Sequence, residues 1–414
     1  MSTQPTAAQL LAELAEIGRD PVRGGYTRPV FSAAERQLRD WFIDQAQARG
    51  LDVEIDGNGI VWAWWDAVGT SRAQAIATGS HLDSVPGGGA YDGPLGVVSA
   101  LAAIDELRAR GVQPKRAIAA VVFPEEERSR FGLACLGSRL ASGASTPQQV
   151  RELRDADGHT YAELAVAAGE DPALIGPDPE RLGQLAAFVE LHVEQGRGLA
   201  DLDQPVAIGR AILGHGRWHF SITGRGDHAG TTVMADRHDP VVVAAQIILA
   251  ARTEALAAEG ARATVGRVEV IPGGTNVIAS RVELRLDVRH RDEAVCASIV
   301  AAVTRAAEAA ADAEGCQVQV VTESESPTVV FDEALRTELE AVLPQAPVLD
   351  TGAGHDAGVL SAVLPTAMLF VRNPTGTSHS PLESAVDADV DAGARALADV
   401  LQRLVTQEAP PQSI

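Results

Sequence analysis

The sequence predicts an α/β fold interrupted by a smaller α+β domain, and three observations carry that expectation. Residues 116–123 (R-A-I-A-A-V-V-F) and 367–371 are continuous apolar runs, and 186–193 is a further apolar strand that carries Glu190 and His192 toward its end. Runs without polar alternation fit strands covered on both faces of a sheet. Apolar residues at helical spacing follow or separate these runs, at Leu95, Val98, Leu101, Ile104 and Leu107, and again over 390–405. Between 211 and 327 the order changes to strand, helix, strand, strand, helix, strand, the split βαβ layout of a ferredoxin-like domain. Strong α/β signals resume after it, so it reads as an insertion. The expected domains are therefore 1–210 with 328–414, and 211–327. A chain of 414 residues is long enough for two or three domains.

Taken in order, Leu10, Leu11, Leu14 and Ile17 predict a first helix that Gly18 stops. Residues 19–29 form a polar loop. Ser32 with Glu35 reads as a capping box for a helix through Leu38, Trp41, Phe42 and Ile43. Residues 51–56 and 59–65 read as paired strands around D-G-N-G, with Trp62, Trp64 and Trp65 as packing residues. Residues 75–78 are a buried strand end, Gly87-Gly88-Gly89 a sharp turn, and Asp92-Gly93 a helix start. Residues 147–185 are polar, with short helices and no motif. In the inserted segment, strands are expected at 218–223, 264–271, 281–288 and 317–322, and helices at 240–258 and 293–313. The strand at 367–371 leads to G-T-S-H-S-P (376–381), and the last helix covers 390–405.

Composition narrows the function classes. Hydrophobic residues are 46% and aromatics 4%, so the core is built mainly of Ala, Val and Leu. The net charge of −22, with a pI near 4.8, argues against nucleic acid and against an anionic membrane as partners. Cys135, Cys296 and Cys316 are too few and scattered for a disulfide framework or a Cys-based zinc site, and read as small buried hydrophobes in a reducing compartment. The N-terminus has neither a basic n-region nor an apolar h-region, so no signal peptide is expected. No uninterrupted apolar run approaches ~20 residues, so no membrane span is expected either. The expected location is cytoplasmic.

The chemistry concentrates at strand ends. T-G-S-H-L-D-S-V-P-G-G-G-A-Y-D-G places His81, Asp83 and Asp92 within twelve residues. Glu125, Glu126 and Glu127 follow the strand at 116–123. E-L-H-V-E-Q-G (190–196) puts Glu190, His192 and Glu194 on one exposed face of a strand, and His379 lies in the loop after 367–371. In a doubly wound sheet, strand C-termini and helix N-termini converge on one rim. Imidazole and carboxylate without thiolate suit zinc, manganese, cobalt or nickel. Blander readings stand beside this one. They are a Gly-rich turn with a capping Asp and an incidental His, an acid run on a solvated face, and a hydrogen-bonded core His192.

The ordered motifs G-S-H-L-D-S, Y-D-G-P-L-G-V, E-E-x-S-R-F, E-L-H-V-E-Q-G, D-H-A-G-T-T-x-M, T-N-V-I, D-V-R-H, G-A-G-H-D-A and S-H-S-P cover residues from about 75 to 385. Together they resemble the M20 co-catalytic metallopeptidase family. More narrowly, they resemble its branch of allantoate amidohydrolases, N-carbamoyl-L-amino-acid hydrolases and β-ureidopropionases. Two positions depart from the branch pattern: Arg128, where Gly is common, and Val233, where Pro is usual. The resemblance implies a metallopeptidase-like catalytic domain with a mixed sheet flanked by helices, and gives the inserted domain a lid and dimerisation role. It implies two divalent metal ions per subunit, with Asp92 bridging, His81 and His192 completing one site, and Glu127 and His379 the other. Glu126 would be the general base, and Asp83 the carboxylate behind His81 that orients its ring.

The resemblance also implies substrate-binding roles for Gln195, His228, Asn276, Arg289 and His355. Arg289 would grip a carboxylate, Gln195 and Asn276 the amide or ureido groups, and His228 and His355 the scissile carbonyl. Arg217 and His215 would add donors for a second ureido arm, and bulky Arg128 would favour a small substrate. Arg289 can instead be a strand-end residue paired to Asp287 or Asp292, and His228 a turn residue. The implied reaction cleaves the C–N bond of a small-molecule ureido acid, allantoate foremost, releasing ammonia and carbon dioxide. The alternatives are an N-carbamoyl-L-amino-acid hydrolase, a β-ureidopropionase, an aminoacylase or peptidase on the same scaffold, and a non-catalytic binding protein. A homodimer is implied by the family alone.

Overall fold

A computed structural model describes residues 4–67 and 69–407. The chain separates into two compact units, residues 1–210 with 330–414, and residues 211–329. The first unit is built on a mixed sheet. Its order runs Val206–Ile212, Thr366–Val371, Leu185–Val193, Ala75–His81, Ile118–Phe123, Val61–Trp65, Asp52–Ile55. The four strands from Thr366–Val371 to Ile118–Phe123 are mutually parallel, and their outer neighbours pair antiparallel. Ile118–Phe123 is buried at every position, which is why its sequence shows no alternation.

Helices flank this sheet and bury its apolar side chains. Pro94–Ala109 is buried on nearly all sides, consistent with its Leu, Val and Ala content, and packs against Asp387–Thr406. One cluster joins Leu10, Leu38 and Phe42 to Leu95, Leu101, Val189, Leu369, Leu397 and Leu401. The first helix is shorter than its spacing predicts: it covers Ala7–Glu13, and turns carry the chain on to Gly18. The box at Ser32 is half formed. Ser32 accepts the Glu35 N–H, but the Glu35 carboxylate accepts from Phe31 N instead. The glycine run at 87–89 is not a turn. Ser84–Gly88 is a short strand paired with Tyr26–Arg28, and the close approach demands glycine opposite it, because a Cβ on Gly25 would press into the Gly88 carbonyl.

The second unit is a four-stranded antiparallel sheet in the order Arg262–Ile271, Arg281–His290, Gly214–Thr223, Gln317–Ser326. Trp218, Phe220, Ile222, Leu284 and Leu286 pack beneath two helices, Pro240–Ala257 and Glu293–Glu314. Both helices are long and apolar enough to cross a membrane by length and composition. Neither is an uninterrupted apolar run of ~20 residues, the ground on which no span is expected, since Arg252 and Glu254 break the first and Arg305 and Glu308 the second. Each helix instead lays one apolar side on the sheet, burying Val243, Ile247 and Ala251 in the first and Ile299, Val303 and Ala307 in the second.

Candidate metal centre

The four parallel strands end on one rim, and that rim carries the candidate ligands. His81 closes Ala75–His81, and His192 lies at the end of Leu185–Val193. The acidic triplet follows Ile118–Phe123, and His379 lies in the loop beyond Thr366–Val371. Asp92 stands just ahead of Pro94–Ala109, where the positive end of the helix dipole favours a carboxylate. Gly93 between them has φ +85, and the His81 ring fills the space beside it.

Asp92 faces two ways. Its Oδ1 lies 3.1 Å from His192 Nε2 and 3.5 Å from His81 Nε2. Its Oδ2 lies 3.5 Å from His379 Nε2, which is 3.0 Å from Glu127 Oε2. Two groups therefore share Asp92: His81–Asp92–His192 and Asp92–Glu127–His379, each with ligand atoms within 4.8 Å of one another. His81 and His192 are wholly buried, whereas the His379 side chain is half exposed. Glu126 presents Oε2 to the same space, 3.6 Å from His81 Nε2.

The protein alone leaves this cluster unsatisfied. His81 Nε2, His192 Nε2 and Glu127 Oε1 are buried without a hydrogen-bond partner. Unpaired buried polar atoms are costly, and three of them on candidate ligands fit a site made for cations. Protonation tells the same story. Burial opposes the charged form of Asp92, but the adjacent imidazoles of His192 and His81 outweigh it and hold the carboxyl well below its usual range. Burial pushes Glu126 well above its usual value, and burial with the neighbouring Asp92 pushes Glu127 up. The Glu127 hydrogen bond raises His379 to about 9. Cations bound here would take the place of these protons. The donor set of three imidazoles and two carboxylates suits two divalent ions.

The supporting residues differ in part from expectation. The ring of His81 is held at Nδ1 by the Asp83 backbone carbonyl at 3.0 Å, with the Asp83 carboxylate 3.6 Å from the same nitrogen. The Asp83 carboxylate accepts the N–H groups of Glu126 and Glu127, at 3.0 and 3.1 Å. Asp83 thus shapes the acidic loop. Glu125 folds that loop on itself, accepting from Arg130 N, Phe131 N and Ser129 Oγ. The three acids therefore divide: one holds the loop and two face the cleft. Arg128 does not fill the site; its exposed side chain donates to the Gly132 carbonyl, and its φ is +57, a value that suits glycine. Val233 has φ −64, which proline also adopts. Gln195 donates to Asp92 Oδ2 at 2.7 Å.

Glu190 and His192 do not lie on an exposed face; both are fully buried, and Glu194 caps the next helix through Gly198 N and Leu199 N. Glu190 accepts from Ser80 Oγ and Ala357 N, tying the segments that carry His81, His192 and His355 together. His355 is buried beside His192 with ring centroids 4.5 Å apart, and burial holds it well below its usual value. Three further residues were not singled out from sequence. Asp356 accepts from Ser138 Oγ at 2.5 Å. Cys135 directs its thiol at Glu126 Oε1, 3.2 Å away. Glu383 accepts from Tyr91 N and Asp92 N. Asp356 lies within the G-A-G-H-D-A motif and Glu383 two residues beyond S-H-S-P, so the motifs could have marked them; nothing in sequence marks Cys135 as part of the site. All three cysteines are free and buried.

The other candidate residues lie in the second unit. Arg289 makes a two-point ion pair with Asp287, at 2.7 and 3.1 Å, and Arg217 donates to the same carboxylate at 3.3 Å. His228 and Asn276 are exposed and brought together by the ribbon Asp227–His228 with Val277–Ile278, where Ala229 N donates to the Asn276 carbonyl.

Residues 77–403 match peptidase family M20/M25/M40. Over 404 residues the chain is 36% identical to an N-carbamoyl-L-amino acid amidohydrolase of Geobacillus stearothermophilus, covering 97% of this chain and 98% of the relative. It is 30% identical over 406 residues to an allantoate amidohydrolase of Escherichia coli K12, covering 97% and 98%. Among solved structures, an amidase of the hydantoinase/carbamoylase family from Burkholderia multivorans superposes with a TM-score of 0.88 at 31% identity, covering 99% of this chain and all of that one.

Proposed function

Because the chain belongs to peptidase family M20/M25/M40, in the amidohydrolase branch that acts on C–N bonds other than peptide bonds, we propose that it hydrolyses the carbamoyl group of a linear ureido acid with two divalent metal ions. The observation that carries this reading is the two-sided Asp92, with one oxygen toward His81 and His192 and the other toward His379 beside Glu127. Asp92 is the bridging ligand, and the remaining four complete the two sites. Zinc and manganese suit this nitrogen and oxygen set. When bound, such ions polarise the ureido carbonyl and make water more acidic.

The chain's own residues do the rest. Glu126 Oε2 takes the proton of the attacking water and returns it to the departing nitrogen. That nitrogen leaves as ammonia, and the carbamate left behind loses carbon dioxide to give the amino compound. Asp83 holds the Glu126 and Glu127 backbone in place. Neutral His355 hydrogen-bonds the carbonyl oxygen as charge develops there. We assign His228, Asn276, Arg217 and Arg289 to substrate binding, the last requiring that Asp287 yield it to a substrate carboxylate. A lid and dimerisation role for the second unit, a homodimer and a cytoplasmic location belong to the same proposal.

An N-carbamoyl-L-amino acid is the favoured substrate, supported by the likeness to the Geobacillus enzyme. Allantoate is the second reading, supported by the likeness to the Escherichia enzyme and by the donors His215, Arg217 and Arg289 on neighbouring strands. With Arg128 turned to Gly132, the argument for a small substrate loses its main support. Ammonia release from N-carbamoyl-methionine, allantoate and N-carbamoyl-β-alanine, with zinc or manganese added, ranks the readings by specificity constant. No release from any of them, with metal bound, overturns the ureido reading. A protein that binds no stoichiometric metal is a binding module instead.

A further inference from the structure

We propose that Glu383 is a positioning residue that locks the His379 loop to the Asp92 loop, so that both stand in register as ligands of one metal. The inference rests on the assignment of Asp92 and His379 as ligands. Glu383 is 7% exposed, and its Oε1 accepts two successive backbone N–H groups, from Tyr91 at 2.9 Å and Asp92 at 3.0 Å. Its own N–H donates to the Ser380 carbonyl, closing the turn that follows His379. One carboxylate oxygen therefore ties the backbone of Asp92 to the segment carrying His379.

The opposing surface is cut to receive it. A Cβ on Gly89 would lie closer than 3.0 Å to Oε1, Cδ and Cβ of Glu383, so only glycine leaves room for the side chain. The lock matters most for the Asp92–Glu127–His379 group. His379 is half exposed and has φ +53, so its own surroundings hold it less firmly than the buried His81 and His192 are held. Backbone N–H acceptors of this kind orient a ligand without touching the metal, and losing such a partner typically costs about 10–100-fold in metal affinity.

The test is calorimetric titration of metal-free protein with zinc, with circular dichroism to establish that each variant is folded. Wild type should show two sites. Glu383→Ala should weaken the Asp92–Glu127–His379 site about 10–100-fold and the other site less, because Asp92 serves both. Gly89→Ala, which displaces Glu383 by crowding, should weaken the same site. Glu383→Gln keeps the accepting oxygen and should restore the affinity. Two wild-type affinities in Glu383→Ala overturn the lock, as does a Glu383→Gln variant as impaired as alanine, which would make charge rather than register the cause. A wild type lacking two sites overturns the ligand assignment itself, and with it this proposal.

Discussion

Replacing Gly93 by alanine should damage the centre through sterics alone. Gly93 has φ +85, and a Cβ there would sit closer than 3.0 Å to Cε1, Nδ1 and the carbonyl oxygen of His81. Two costs follow. Left-handed backbone costs an L-residue roughly 1–2 kcal/mol. Forcing a methyl into a packed site costs about 1–3 kcal/mol more. Gly50 supplies the control, because its φ is +65 and no atom lies within 4 Å of the position its Cβ would take. Gly50→Ala should therefore show only the backbone part. Both variants gain equally from a stiffer unfolded chain, so the difference between them combines the clash, about 1–3 kcal/mol, with the added backbone strain at Gly93, whose φ +85 and ψ −60 lie outside the left-handed helical region. The assay is urea unfolding of metal-free protein, paired with metal analysis of the purified variants. Gly93→Ala should unfold earlier than Gly50→Ala and lose metal from the His81–Asp92–His192 group, while Gly50→Ala keeps both ions. Equal unfolding midpoints with full metal content in Gly93→Ala would refute the packing argument, since the His81 ring could then move aside without consequence.

Further expectations follow from the same geometry. Glu126→Gln should bind metal normally yet lose about 10²–10⁴-fold in kcat, measured by ammonia release; a wild-type rate removes Glu126 from the mechanism. Asp83→Asn can accept only one of the two N–H groups it now holds, and an orphaned buried donor costs about 1–3 kcal/mol. It should lower the unfolding midpoint and kcat together, and unchanged values for both would show that the acidic loop keeps its shape unaided. Burial pushes the Glu35 carboxyl up to about 7. Between its ordinary value near ~4.3 and 7, the folded chain holds a proton that the unfolded chain has lost, so stability falls as pH rises through that window and levels off above it. The loss amounts to about 3 kcal/mol, and Glu35→Gln should remove that part of the slope when unfolding is followed from pH 4 to 8.

The sequence by itself determined the four parallel strands, most helices and the residues that gather as candidate ligands. A strand buried on both faces must be apolar throughout, so Ile118–Phe123 and Thr366–Val371 announced themselves, and polar residues at their ends had to be there for another reason. His81, Asp92, Glu126, Glu127, His192 and His379 were legible on those grounds. Tertiary structure decided what each neighbour does. Asp83 could have supported His81 or the acidic loop, and only the approach of the Glu126 and Glu127 backbone sends its carboxylate to the loop. Glu125 is indistinguishable from its two neighbours in sequence, yet a left-handed backbone turns it toward Arg130 and Phe131. Arg128 looked like a space-filling residue until its backbone turned the side chain toward Gly132. Glu383 reaches the centre from a segment remote in the chain from Asp92, whose backbone it holds. Period and composition report which face of an element is buried. They carry no information about which distant backbone groups a buried polar atom will meet, because chain crossings set those partners.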